Sequence, residues 1–209
     1  MNSITTLLLC FLFIPSAVGV AQHHSRDAQK QSATSERPRM KGPGRIEHGL
    51  ISSEIPDIWL VDHDGKKVRF YSDLVKNKVV VISFFFTSCD YVCPMQARSL
   101  IRLKERLAGR LGKDVFFISI SRDPENDTPE KLGKWAKVHG VSAGWTLATG
   151  EQPVIKKLLR DIAFEGVGQA THESLILIGN DRTGVWIATD GLLLPHELVK
   201  FIDNISRSE

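Results

Sequence analysis

Two stretches of the chain are apolar almost without interruption, Val79 to Phe86 and Val115 to Ile120. Both are rich in β-branched and aromatic residues and lack the polar alternation of a half-exposed strand. They predict two strands buried on both faces. After the first, Leu100, Leu103, Leu107 and Leu111 recur at helical spacing. A helix is expected from Pro94, at its first position, to Leu111-Gly112. After the second comes the turn Ser121-Arg122-Asp123-Pro124, then Thr128-Pro129-Glu130. Thr128 reads as an N-cap, Pro129 as the first helical residue and Gly140 as the stop.

The pattern continues with a short strand at Trp145–Ala148 and a helix from Val154 to about Ile162. Ser174–Ile178 and Val185–Ala188 flank a turn holding Asn180-Asp181 and Gly184, which suits an antiparallel pair. Pro195 opens a last helix, with Leu198, Phe201, Ile202 and Ile205 on one face. Ahead of all this, Ile58–Val61 and Val68–Phe70 flank Asp62-His63-Asp64-Gly65, a hairpin signal. Two parallel crossovers, an antiparallel pair and a closing helix define an α/β fold. The expectation is a thioredoxin-like three-layer domain over residues 51–209 with an N-terminal β-hairpin extension.

The N-terminal quarter is different. Met1 to Ala21 contains no Asp, Glu, Lys or Arg, and its apolar centre, Leu7 to Ile14, is followed by small residues. This resembles a secretory signal peptide ending near Ala21, and the apolar stretch is shorter than the roughly 20 residues of a spanning helix. Residues 22–50 are polar, with Pro38 and Pro43, and are expected to be a flexible tether. The domain is therefore expected outside the cytoplasm, in the periplasm or an equivalent space, free or held by an uncleaved anchor. The 209 residues are 42% hydrophobic with a formal charge of +3. Lys and Arg are dispersed among acidic residues, which argues against a nucleic-acid surface.

Of three cysteines, Cys10 lies in the leader and only Cys89 and Cys93 fall in the domain, where the first buried strand gives way to its helix. Open α/β folds place their chemistry at such ends. A structural staple is a poor reading, because so small a loop gains little from closure. Helix-terminal N–H groups beside Cys93 are expected to lower its thiol pKa. Three intervening residues, rather than two, set the pair apart from the common oxidoreductase motif. Structural zinc takes about four ligands. Two thiolates and one imidazole suit copper, Cu(I) in particular.

Among the histidines, His63 lies in the hairpin turn, His139 at a helix end and His196 in a first helical turn, all surface-like positions. His172 follows the glycine-containing stretch Glu165 to Thr171 and immediately precedes the Ser174 strand. In a thioredoxin-like fold that entry loop faces the cysteine loop. Oxidoreductases of the fold usually carry a cis-proline there, and this chain has no proline between Pro153 and Pro195. A thiol peroxidase would need a positioned hydroxyl and arginine, for which Thr87, Ser88 and Arg98 are the nearby residues.

Phe86-Thr87-Ser88-Cys89-Asp90-Tyr91-Val92-Cys93-Pro94 resembles the Phe-Thr-x-Cys-x-x-x-Cys-Pro motif of the SCO/SenC family, the copper-binding thioredoxin-like proteins of cytochrome c oxidase assembly. Ser119 to Pro129 is similar to its Ser-x-Asp-Pro-x-x-Asp-Thr-Pro segment, with one extra residue before Asp123-Pro124. His172 sits where the family's copper histidine falls, and the likeness runs from about Ile55 to Ile205. The resemblance implies that Cys89, Cys93 and His172 bind copper and that the cysteines also cycle between dithiol and disulfide. It implies an exported or tethered metallochaperone acting on the binuclear copper centre of cytochrome c oxidase subunit II, by donating copper, reducing thiols, or both. Other periplasmic copper or thiol-redox proteins are further partners. A thiol:disulfide oxidoreductase and a thiol peroxidase are the alternatives. The chain departs from the pattern in Thr171-His172-Glu173-Ser174, where the family often has Asp-His-Ser, and in Met95-Gln96, where acidic residues are usual. Met95 reads as a helix-packing residue ahead of a soft axial ligand, Glu173 as a solvent-facing strand-edge carboxylate or a group on the imidazole, and Asp123 and Asp127 as turn-capping, structural residues rather than metal contacts.

Overall fold

The computed structural model describes residues 45–47, 55–162 and 174–207. The signal segment, most of the tether, His172 and Glu173 lie outside these residues. The elements are β1 (Arg45–Glu47), β2 (Trp59–Asp62), β3 (Lys67–Arg69), a π-helical turn (Phe70–Val75) and β4 (Val79–Phe85). There follow α1 (Val92–Arg106), β5 (Val115–Ser121), α2 (Pro129–Val138), β6 (Trp145–Thr149) and α3 (Gln152–Ile162). β7 (Leu175–Asn180), β8 (Val185–Asp190) and α4 (Pro195–Ser206) complete the described chain.

One eight-stranded sheet runs β1-β8-β7-β4-β5-β6-β2-β3. β4, β5 and β6 are parallel, whereas β7 pairs antiparallel with both β4 and β8. The strand order and crossovers are those of a thioredoxin-like fold, with the β2–β3 hairpin added beside β6. β1 is a strand the sequence did not announce. It lies within the stretch read as a tether and pairs antiparallel with β8.

Successive residues of a strand point to opposite faces. The uninterrupted apolar runs therefore feed two cores at once. Val79, Val81 and Phe85 of β4, with Phe117 of β5, pack against α1, α2 and α4. Val80 and Ile82, with Ile118 and Ile120, pack against α3, the hairpin and the π-helical turn. Within the first core, Trp145 Nε1 donates to Ser119 Oγ at 2.9 Å and Ser119 Oγ meets Ser83 Oγ at 2.7 Å. A buried indole N–H and two buried hydroxyls thus satisfy one another.

Local signals placed most boundaries. Thr128 caps α2, its Oγ1 accepting from Lys131 N–H at 3.3 Å, and Gly140 beyond the helix takes φ 67°. Gly65 turns the β2–β3 hairpin at φ 83°. α1 departs from expectation at both ends. It begins at Val92 with Tyr91 as N-cap, so Pro94 occupies the third helical position. Proline is tolerated there because N–H groups of the first turn have no intrahelical partner. The helix stops at Arg106, because Ala108 (φ 49°) and Gly109 (φ 83°) adopt left-handed conformations. Leu111 lies beyond it, in a bridge to Val115.

Candidate metal centre

Cys89 and Cys93 occupy the passage from β4 to α1. The loop between these elements is closed by Cys89 N–H donating to Phe86 O at 3.2 Å. Its entry is fixed by Asp127, a fully buried carboxyl group from the β5–α2 loop. Thr87 N–H donates to both Asp127 oxygens at 3.2 and 3.1 Å, the Thr87 hydroxyl donates to Oδ1, and Ser121 Oγ donates to Oδ2 at 2.6 Å. Asp127 thus has the structural role expected of it, as an anchor for the cysteine loop rather than as a turn cap. Asp123 does serve its turn, with both carboxyl oxygens accepting from Asn126 Nδ2 at 3.0 Å.

Both thiols are free. They are chemically unequal, and the inequality runs opposite to the sequence expectation. Cys93, second residue of α1, is 6% exposed and packs into the first core. Burial, reinforced by its hydrogen bond to Cys89, pushes the Cys93 thiol well above its ordinary pKa. Cys89 stands just outside the helix and receives the Cys93 N–H at 3.3 Å. Desolvation raises the Cys89 thiol, but the Cys93 thiol and the backbone N–H groups of Cys93, Tyr91 and Val92 outweigh it and bring the pKa below the usual value. The N–H groups at the helix start therefore do favour the ionised form of a thiol, at Cys89 rather than at Cys93. Iodoacetamide near pH 7 is expected to label Cys89 well ahead of Cys93, read by peptide mass spectrometry. Equal labelling, or Cys93 first, would contradict this ordering.

Among the described residues no third His, Cys, Asp or Glu joins the pair in a metal-sized cluster. His63 is a structural residue: Leu147 N–H donates to its Nδ1 at 3.3 Å, docking the hairpin turn on β6. His139 stacks on Trp135 with ring centroids 4.0 Å apart, and its pKa is lowered by burial and by the charge of Arg98. His196 is exposed beside a cavity of about 550 Å³ between α1 and the start of α4. Met95 is 39% exposed and does not serve as a packing residue. Of the hydroxyls named for a peroxidase, that of Thr87 donates to Asp127. Arg122, rather than Arg98, is the arginine whose charge acts on Cys93.

One residue that the sequence marked only as a departure has a definite place. Gln96 is 3% exposed, and its Nε2 donates to Ser174 Oγ at 3.0 Å and to Leu175 O at 3.3 Å. The start of β7 is thereby held against the cysteine-bearing turn of α1. His172 precedes Ser174 by two residues in sequence.

A family model described as SCO1/SenC matches residues 53–176. The "SCO1 protein homolog" of Bacillus subtilis is 31% identical over 140 residues, covering 63% of this chain and 71% of its own length. Among solved structures, BsSco is described as a member of the Sco family of cytochrome c oxidase assembly proteins with a disulfide switch. It superposes with a TM-score of 0.63 at 25% identity, over 80% of this chain and 100% of its own. ScoI of Arabidopsis thaliana, solved with copper bound, gives a TM-score of 0.60 at 21% identity, over 73% of this chain and 97% of its own. At that identity the likeness is one of fold.

Proposed function

Because the chain belongs to the SCO1/SenC family, we propose that its domain is an exported copper carrier with Cys89, Cys93 and His172 as the metal-holding groups. Copper is its cargo, passed to the binuclear copper site of cytochrome c oxidase subunit II. The observation that carries this reading is the turn that brings the cysteines together, with Cys93 N–H aimed at Cys89 Sγ from 3.3 Å. Two free thiols on one turn form a soft donor pair, which favours Cu(I) over hard cations. His172, which lies outside the described residues, is taken as the third donor from the likeness to the family and from the soft cysteine pair that it would complete. Three-coordination leaves room for an incoming thiolate, so copper can pass by ligand exchange. The uncharged leader, Met1 to Ala21, supports export. Among the described residues no helix is long and apolar enough to cross a membrane.

The unequal thiols favour a second reading of the same site. Cys89, with its lowered pKa, is suited to attack a disulfide in a partner. Cys93 would then resolve the mixed disulfide, so that the domain leaves as the disulfide and the partner as the dithiol. The two readings share the cysteines and separate at His172.

Anaerobic titration of the reduced protein with Cu(I), against a competing chelator, tests the carrier. One copper per chain is expected, with Cys89→Ser or Cys93→Ser abolishing tight binding. His172→Ala is expected to weaken binding at least tenfold while leaving disulfide exchange near wild type. The carrier reading fails if the reduced protein takes up no stoichiometric copper.

A further inference from the structure

α1 turns Cys93, Leu100 and Leu103 into the first core. On its opposite side Tyr91, Met95, Arg98, Arg102 and Arg106 are exposed at helical spacing. The two ends of this row differ in chemistry. At the cysteine end stand Tyr91, 74% exposed, and Met95, with the exposed Asp90 beside them. Farther along, Arg102, Glu105 and Arg106 line the cavity of about 550 Å³, whose other wall is Leu194, Pro195 and His196. Ser99 Oγ donates to Leu193 O at 3.2 Å, which holds the two walls together. Leu194 is 59% exposed. The helix carries Arg98, Arg102, Lys104 and Arg106 against a single acidic residue, Glu105. Arg110, just beyond it, is neutralised by Asp203 at 2.6 Å. Among the described residues Arg102 and Arg106 have no such partner.

We propose that this face is where the protein served by the cysteine pair docks, laying an acidic segment against Arg102, Arg106 and His196 and an apolar group against Tyr91 and Met95. This rests on the reading that the pair serves another protein, and adds the chemistry of that protein's contact. Two unpaired guanidinium groups on one concavity suit carboxylates, each of which an arginine can hold through two parallel hydrogen bonds. Leu194 beside them suits a polypeptide, which brings apolar side chains along with its charges. A concave site with a carboxylate of its own, Glu105, suits a flat anionic bilayer less well. The same face sets direction. At 1.5 Å per residue, Arg102 and Arg106 lie about 14–20 Å along the axis from Cys93. Asp90 disfavours acidic groups at the cysteine end. A docked segment therefore lies with its carboxylates over the groove and its reacting group over the thiols, about four to six extended residues away.

The test uses the reduced full chain, with Cys10→Ser so that only the pair reacts, and a synthetic peptide whose cysteine is activated as its 2-thiopyridyl disulfide. A short block of glutamates stands about five residues from that cysteine, with a leucine between. The Cys89 thiolate attacks the peptide sulfur, the bond to the pyridyl sulfur breaks, and 2-thiopyridone leaves. Its absorbance gives the rate. At low salt the acidic peptide is expected to react about tenfold faster than its lysine counterpart, and high salt should remove the advantage. A peptide with the glutamates next to the cysteine should lose most of it. Arg102→Glu combined with Arg106→Glu should bring the acidic peptide down to the rate of the lysine peptide, while neutral 2,2′-dithiodipyridine reacts as before. Lys156→Glu combined with Arg160→Glu makes the same change of charge on exposed residues of α3, across the sheet, and should keep the preference. Leu194→Ser, which alters no charge, should weaken it. Equal rates for the acidic and lysine peptides, or an equal loss in the α3 variant, would overturn the proposal and leave the copper reading standing. Binding to phosphatidylglycerol vesicles that the Arg102→Glu, Arg106→Glu variant loses, without any peptide preference, would assign the face to a membrane instead. A chain that takes up no stoichiometric copper yet keeps the peptide preference would remove the carrier and retain the docking face.

Discussion

Asp127→Ala is expected to destabilise the domain by about 4 kcal/mol, through three donors left without an acceptor at roughly 1–3 kcal/mol each. The donors are Thr87 N–H, the Thr87 hydroxyl and the Ser121 hydroxyl, all directed at this one fully buried carboxyl. Ser121 is itself fully buried, so water cannot readily replace the lost partner. For a domain of this size the change corresponds to a fall in melting temperature on the order of 10 °C. Asp127→Asn keeps one carbonyl oxygen for Thr87 N–H, and its amide can donate to a hydroxyl. A loss of about 1–2 kcal/mol is expected there. Because Asp127 ties down the residues that lead to Cys89, the alanine variant should also narrow the difference in alkylation rate between the cysteines. Thermal unfolding followed by circular dichroism measures the first effect and peptide mass spectrometry the second. An alanine variant as stable as wild type would show that Asp127 does not anchor the loop.

Gly179→Ala is the second large effect. Gly179 lies inside β7, directly opposite Trp186 of β8. A Cβ at this position would sit 2.2–2.4 Å from Cε3, Cδ2 and Cζ3 of the indole. The ring is 2% exposed and rigid, so it cannot swing away as a flexible side chain would. Overpacking of this kind costs about 3 kcal/mol. The clash also predicts its own remedy. Trp186→Leu combined with Gly179→Ala should be less destabilised than the sum of the two single variants, because the atoms that collide are then gone. Denaturant unfolding of the four proteins gives the coupling directly, and strict additivity would refute the contact.

The same glycine shows where sequence reading stopped short. The strand was expected to end at Ile178, since Gly and Asn normally punctuate strands. β7 continues to Asn180 because Asn180 and Gly179 pair with Val79 and Val80 of β4 as well as with β8. The absence of a Cβ makes room for a tryptophan seven residues away. Similarly, the leucine spacing of α1 runs on to Leu111, but a left-handed Ala108-Gly109 breaks the helix. Periodicity reports which side chains turn inward, and Leu107 and Leu111 do contribute to the first core from outside regular helix.

What the amino-acid order determined by itself was local or repetitive. β-branched runs specified the two central strands, because residues facing both cores must be apolar. The Thr128-Pro129 and Asp64-Gly65 pairs placed a helix start and a hairpin turn through backbone preferences of one or two residues. The Cys-x-x-x-Cys-Pro segment marked the candidate site at the passage from β4 to α1. Tertiary structure alone decided which cysteine carries the lower pKa. That property depends on how deeply each sulfur is buried and on which N–H groups point at it, so Cys93, adjacent to proline in sequence, is nevertheless the buried and weakly acidic thiol. Tertiary structure also decided that Asp127 reaches across forty residues to Thr87 and that Gln96 spans from α1 to Ser174. Directional contacts of this kind are created when distant segments pack, and no pattern of neighbours along the chain encodes them.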